Sequence, residues 1–345
     1  MNREILANDF AEATSRNRWK TFVLEAHPDS SVTQLLADAF VDSRVEATDD
    51  VYLHRLAGEV DFVVDHLDQR FWSLHTTVPT GDAAPYLRRV VNQRRDLDSM
   101  WLPSDHLRGI WSDVSPQLVA TNVRAGRLTP TIGEVDDLKL RVTGRAAGRV
   151  LKALGDEFDT AVPQSHVGIN VVDEHFGSIT EFVSHDGRFM ASGGDFGLHQ
   201  AIVRRVVDRY RRFVEGAERH ALRWEELSEG GARPHGAPIT LRFERSIPDL
   251  GYFLEQLFSA REPFRLWGVP RYDGEGMAEV EAVDLHVGQR LRFDITTKWL
   301  RIYLFEGGCG NTVARLASNL QHHFDGALSI VDEKLDAGLR PVVNA

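Results

Sequence analysis

The sequence predicts an α+β fold of three tandem units, each running strand, helix, three or four antiparallel strands, helix, with the helices packed on one face of each sheet. Three observations predict it. A succession of two-residue and three-to-four-residue apolar periodicities recurs three times. Short residue strings repeat between the first and second units. The composition, 345 residues with 42% hydrophobic and 26% charged side chains, is that of a globular chain long enough for domains of roughly 100–200 residues each.

The first unit, 18–95, opens on a strand-like run at 20–25. A helix follows, with Val32, Leu35, Leu36, Ala39 and Phe40 lining one face. Asp29 or Ser30 is placed to accept from its unpaired first-turn amides. Strands are expected over 50–56, over 59–66, where Val60, Phe62 and Val64 alternate, and over 70–78, where Phe71 and Trp72 carry the bulk. The run 79–82 opens a second helix with Pro85 near its start and a stripe of Tyr86, Leu87, Val90 and Val91. A helical connector, 96–136, carries Leu107, Ile110 and Trp111 on one helix and a loop at 129–133.

The second unit, 137–222, repeats the order. A strand at 138–142 leads into a helix with Ala147, Val150, Leu151, Leu154 and Phe158 on one face. Strands follow at 166–172, 178–184 and 188–191, and a Gly-rich turn at 192–197 enters a long helix. The segment 223–237, with Gly230, Gly231, Pro234 and Gly236, is expected as a linker. In the third unit, 238–332, a strand at 239–245 comes first, and Ser246 is expected to cap a helix with Pro248 in its first turn and Leu250, Phe253, Leu254 and Leu257 inward. Four strands at 264–270, 278–286, 290–296 and 299–305 follow, the second and third joined by a hairpin at 287–289. The run 306–311 enters a last helix lined by Val313, Leu316, Ala317, Leu320 and Phe324, and 333–345 is a tail.

Direct matches link the first two units. His66, Asp68, Arg70 and Phe71 parallel His185, Asp186, Arg188 and Phe189. Gly81 and Asp82 parallel Gly194 and Asp195, and the string from Arg88 and Arg89 to Val91 recurs from Arg204 and Arg205 to Val207. The element order resembles that of the TATA-box-binding protein half-domain. That likeness rests on no sequence motif, so it assigns a DNA-binding role to no residue.

With 51 acidic residues against 40 Lys and Arg, the chain carries a formal charge of −11 and a pI near 5.7. Such a balance argues against coating nucleic acid by bulk charge, while leaving room for a local basic face. The single Cys309 excludes an internal disulfide framework and a multi-cysteine metal site, so no metal and no cofactor is expected. No apolar run approaches the roughly 20 residues of a membrane span. The first twenty residues lack the apolar core of a secretion signal, and a cytoplasmic location is expected.

The function these features favour is non-catalytic binding or assembly. Sheets with an uncovered second face must pack on one another, on a second copy or on another protein. A helix ridge of Arg88, Arg89, Arg204, Arg205, Arg209 and Arg212 is suited to an anionic partner, nucleic acid included. Trp72 or Trp299 on an open sheet face would stack a ligand. The alternative is an enzyme acting on a phosphorylated or nucleotide substrate. It would be seated at the turns Gly81, Gly193–Gly194 and Gly307–Gly308–Asn311, where helix N-termini attract anions. His66, Asp68 and His75, or His185 and Asp186, would then supply acid–base chemistry.

Overall fold

The computed structural model describes residues 2–14, 17–110, 118–124, 128, 137–144, 146–157, 162–173, 177–226, 230–272 and 276–331. Trp111, the 129–133 loop, Phe158 and the 333–345 tail lie outside the described residues. The architecture is mixed α+β with antiparallel sheets. The chain divides into two compact units, Met1–Met100 with His166–Val207 and Trp101–Ser165 with Asp208–Ala345. Segment 18–95 thus lies in the first unit, 238–332 in the second, and 137–222 contributes to both.

The first unit begins with α1 (Arg3–Ala11), β1 (Trp19–Ala26), α2 (Val32–Ala39), β2 (Ser43–Ala47), β3 (Leu53–Gly58), β4 (Phe62–Asp65), β5 (Phe71–Thr76), α3 (Thr80–Asn92) and β6 (Leu97–Ser99). After α4 (Ser104–Ile110), β7 (Leu118–Arg124), β8 (Asp137–Thr143) and α5 (Ala147–Glu157) of the second unit, it resumes with β9 (His166–Asp173), β10 (Gly177–Ser184), β11 (Arg188–Ser192) and the start of α6 (Phe196–Glu218). Strand order in its sheet is β2-β3-β4-β5-β1-β11-β10-β9, and β6 also pairs with β1. β1 is central, with Thr21 opposite His75 on one side and Phe189 on the other.

All eight positions of β1 are buried, because both faces of the sheet are covered. On one face Phe22, Leu24, Val64, Trp72 and Leu74 pack under Leu35 and Leu36 of α2 and Tyr86, Leu87, Val90 and Val91 of α3. Each such side chain contributes about 1.5–3 kcal/mol when fully buried. On the other face Phe10 of α1 and Phe196 of α6 close around Trp19, with ring centroids 5.5–6.2 Å apart. α1 was not expected from the sequence, although Leu6 and Phe10 stand four apart and the Asn2 side chain caps Ile5 N. Nor was β2. The cap of α2 is Ser31, which accepts from Gln34 N, rather than Asp29 or Ser30.

The second unit continues from α6 with β12 (Arg223–Glu226), β13 (Ala232–His235), β14 (Ile239–Arg242), α7 (Leu250–Leu257), β15 (Leu266–Tyr272), β16 (Ala278–Asp284), β17 (Arg290–Ile295), β18 (Trp299–Leu304), α8 (Asn311–His323) and β19 (Ser329–Ile330). Within 223–237, β12 and β13 pair as an exposed hairpin. The hairpin β7–β8 packs on α5 through Val119, Ala147 and Leu151. A six-stranded sheet runs β15-β16-β17-β18-β14-β19. Its β16–β17 turn places Val287 and Gly288 at φ +64° and +73°. Asp249, not Ser246, caps α7 by accepting from Tyr252 N, so Pro248 stands before the cap.

Helices cover one face of this sheet: Phe253 of α7 packs on Phe243, Phe258 packs on Phe293, and Phe243 meets Phe324 just beyond α8. α8 is buried from Asn311 through His322, so its polar residues need internal partners. Arg315 pairs with Asp284 and donates from Nε to the Phe264 carbonyl at 3.0 Å, and the Thr312 hydroxyl also donates to Asp284. Among the described residues no helix is long and apolar enough to cross a membrane.

Candidate functional site

Two arrangements carry chemistry, one in each unit. In the first unit the register of β1 against β5 and β11 sets Thr21 beside His75, and alternation along β10 brings Glu181 to the same face. The first turn of α6 adds His199. The four side chains form a chain of hydrogen bonds: Glu181 Oε2 to His199 Nδ1 at 2.8 Å, His199 Nε2 to Thr21 Oγ1 at 2.8 Å, and Thr21 Oγ1 to His75 Nδ1 at 2.9 Å. None is more than 2% exposed.

Trp19 Nε1 is a donor only and points at His75 Nδ1 from 3.4 Å, so that nitrogen is an acceptor. The Thr21 hydroxyl therefore donates to His75 and accepts from His199, leaving one proton for the His199–Glu181 pair. Burial raises the Glu181 carboxyl, opposed by the charge and hydrogen bond of His199. Burial also pushes the His75 imidazole down to about 3; the charges of His199 and Arg3 add to this, and that of Asp65 opposes it. Phe10 stacks on His199 at 5.3 Å, and Phe196 lies 5.7 Å from His75. Walled by rings, this chain ties β1, β5 and β10 to the first turn of α6, with His75 Nε2 and Glu181 Oε1 buried beyond its two ends without a hydrogen-bond partner among the described residues.

Of the histidines and carboxylates expected to act together, His75 alone joins this chain. Val63 stands opposite His75 and Val64 opposite Leu74, so alternation sends His66 to the other face. There it lies 5.2 Å from the His54 ring and 5.9 Å from Trp72. Asp68 accepts from the amides of Arg70 and Phe71, holding the β4–β5 turn. His185 and Asp186 form the β10–β11 turn. Burial would raise the Asp186 carboxyl, but Arg188, His185, the Ser184 hydroxyl and His166 hold it well below the usual carboxylate range.

The Gly-rich turns divide. Gly193, Gly194 and Gly307 have φ of +74°, +71° and +78°, the left-handed backbone that favours glycine. Gly81 lies inside the first turn of α3, in open space. At the start of α8 the amides already have partners: Gly308 N donates to the Phe305 carbonyl, Cys309 N to Gln289 Oε1 and Gly310 N to Glu218 Oε1. Asn311 Oδ1 accepts from the Tyr210 hydroxyl. Of the helix arginines, Arg88, Arg89, Arg204, Arg205 and Arg212 are exposed, and Arg89 pairs with Glu59 at 3.3 Å. Arg209 is buried, contrary to its expected place on a solvated ridge. It and Arg212 lie close enough to buried His106 for their charges to join burial in lowering that imidazole.

The second arrangement is the face of the six-stranded sheet that α7 and α8 leave uncovered. Strand alternation and the register of the pairings place side chains there in rows. Trp267, Val283 and Arg290 form one row; Val269, Glu281, Arg292 and Tyr303 the next; Arg271, Glu279, Asp294, Arg301 and Thr240 a third; Trp299 and Arg242 a fourth. Trp267 and Val269 are 53% and 55% exposed and the Arg290 side chain 76%. The Arg301 guanidinium sits 4.4 Å over the Trp299 ring, Arg292 lies 5.6 Å from Tyr303, and Arg290 lies 5.9 Å from Phe305. Arg292 also pairs with Glu279 at 3.0 Å, and the Tyr303 hydroxyl donates to Asp294 at 2.6 Å. Of the two tryptophans considered for an open sheet face, Trp299 lies half-buried on this one, and Trp72 lies 1% exposed under α2 and α3. The other face residues could have been found by reading every second position of the third unit's strands for aromatic and arginine side chains.

No solved structure matches the chain. A curated relative, the uncharacterized protein MJECL33 of Methanocaldococcus jannaschii, is 27% identical over 371 aligned residues, covering 94% of this chain and 89% of the relative. The model of the MJECL33-like protein family matches residues 2–337, and the chain belongs to that family.

Proposed function

We propose that the protein is a non-catalytic binding protein and that its working surface is the open face of the six-stranded sheet, which takes an anionic partner. The observation that carries this reading is the pairing of arginines with aromatic rings on a face that no helix covers. Trp267 and Val269, two residues apart on the same face, add exposed apolar area beside those arginines. Five arginines, Arg242, Arg271, Arg290, Arg292 and Arg301, stand against Glu279, Glu281, Asp294 and, 3.5 Å from Arg242, Glu244, so the face keeps a slight excess of positive charge on a chain of charge −11. Among the described residues Arg271 and Arg301 have no ion-pair partner, which leaves their planar forks open to a carboxylate or phosphate.

The enzyme alternative fares less well. Glu218 already occupies Gly310 N at the richest glycine turn and would repel an anion there. Its proposed acid–base groups are divided between two sheet faces and two turns.

Retention on heparin resin at low salt tests the reading. The wild-type protein is expected to bind and the triple variant Arg290→Gln, Arg292→Gln, Arg301→Gln, which removes the charge without setting new carboxylates beside Glu279, Glu281 and Asp294, to flow through while still unfolding in one cooperative transition. A wild type that flows through, or a folded triple variant retained as strongly as wild type, overturns it.

A further inference from the structure

We propose that the partner of this face is single-stranded nucleic acid, with bases stacked on Trp299 and Tyr303 and phosphates held by the arginines beside them. The inference rests on the sheet-face reading above and adds the chemistry of the partner. Arginines alone would suit any polyanion. The rings are what select, because every base has a flat π-face and a simple polyphosphate or sulfated sugar has none.

Trp299 and Tyr303 lie on one strand with Arg301 between them, all on the same side. Arg301 now lies over Trp299, and Arg292 lies near Tyr303. A guanidinium on a ring occupies the place a base would take. Base stacking would displace it, and the freed fork would be within reach of the neighbouring phosphate. The face therefore holds its own stand-ins for a ligand. Trp299 and Tyr303 stand four residues apart on β18, roughly 13 Å at about 3.3 Å per residue, a separation that a strand of two or three nucleotides bridges.

A duplex hides its base faces and gains nothing from the rings. Glu279, Glu281 and Asp294 compete for Arg290, Arg292 and Tyr303, which tunes the face toward moderate affinity with strong salt dependence. Pairing of another strand along the outer edge is the less suited route, because Pro270 removes a donor in the middle of edge strand β15.

Fluorescence anisotropy with labelled 12-nucleotide oligo-dT and oligo-U, against a duplex of the same length, tests the proposal. Both single strands are expected to bind, and the duplex more weakly. Trp299→Ala and Tyr303→Ala should each weaken binding roughly 5- to 150-fold, while Tyr303→Phe, which keeps the ring and drops the Asp294 contact, should bind like wild type. Arg301→Ala should flatten the log K against log salt slope by about 0.7. Three results overturn the proposal: equal or tighter duplex binding, folded Trp299→Ala and Tyr303→Ala variants that bind oligonucleotide like wild type, or heparin retention without any oligonucleotide binding. The third leaves the sheet-face reading standing, whereas loss of heparin retention as well removes both.

Discussion

Replacing Thr21 by Val tests the buried hydrogen-bond chain of the first unit without changing the shape of the side chain. The hydroxyl donates to His75 Nδ1 at 2.9 Å and accepts from His199 Nε2 at 2.8 Å, with Thr21 fully buried. Valine deletes both bonds and leaves an imidazole acceptor and an imidazole N–H inside the core. An unsatisfied buried polar group costs about 1–3 kcal/mol. His75 Nδ1 keeps its longer contact to Trp19, so the total is expected at about 2–4 kcal/mol. Urea denaturation at pH 7, followed by circular dichroism, measures it as a lower midpoint at unchanged slope. Thr21→Ser restores the hydroxyl and should recover all but about 1 kcal/mol, the worth of the lost methyl. A loss below about 0.5 kcal/mol for Val, or a serine variant as unstable as the valine one, would refute the chain's role in holding sheet and helix together.

The buried His75 imidazole and the close packing of Gly310 each carry a measurable consequence. Because burial holds His75 at about 3 in the folded protein, the unfolded chain binds a proton that the folded one refuses. Stability therefore falls as pH drops below about 6.5, by up to about 1.4 kcal/mol per unit, and the fall ends near pH 3. His75→Gln should be the less stable protein at pH 7, with the gap to wild type about 2 kcal/mol smaller at pH 5; a gap that does not change between those two pH values contradicts the buried neutral imidazole. At the start of α8 a Cβ on Gly310 would meet the Val214 carbonyl oxygen at 2.1 Å, whereas one on Gly81 meets nothing. Gly310→Ala should cost about 1–3 kcal/mol and Gly81→Ala nothing or a slight gain; equal melting temperatures for the two would be wrong for this packing.

The sequence was most informative where periodicity is local. The four strands after α7 were expected within two residues of their observed starts, because apolar residues alternate there with charged and aromatic ones. Caps were less legible: Ser31 and Asp249 each have a plausible capping residue just ahead of them, and only backbone geometry chooses between the two. Which face of a strand is covered was not legible at all. Trp72 and Trp299 both sit among alternating strand residues, yet one lies under two helices and the other on an open face. The chain from Glu181 to His75 was hidden for another reason. Its members come from β1, β5, β10 and α6, brought together by strand pairing, and each alone looks like an ordinary core residue.

The arginine ridge on the helices and the arginine-bearing sheet face make different claims about where a partner sits. Mapping the contact by photo-cross-linking a 4-thiouridine oligonucleotide, with the linked peptides read by mass spectrometry, separates them. Cross-links concentrated in Leu266–Tyr272 and Trp299–Leu304 are the predicted result. Cross-links falling instead on Arg88, Arg89, Arg204, Arg205 or Arg212, with β15 and β18 unlabelled, would contradict the account.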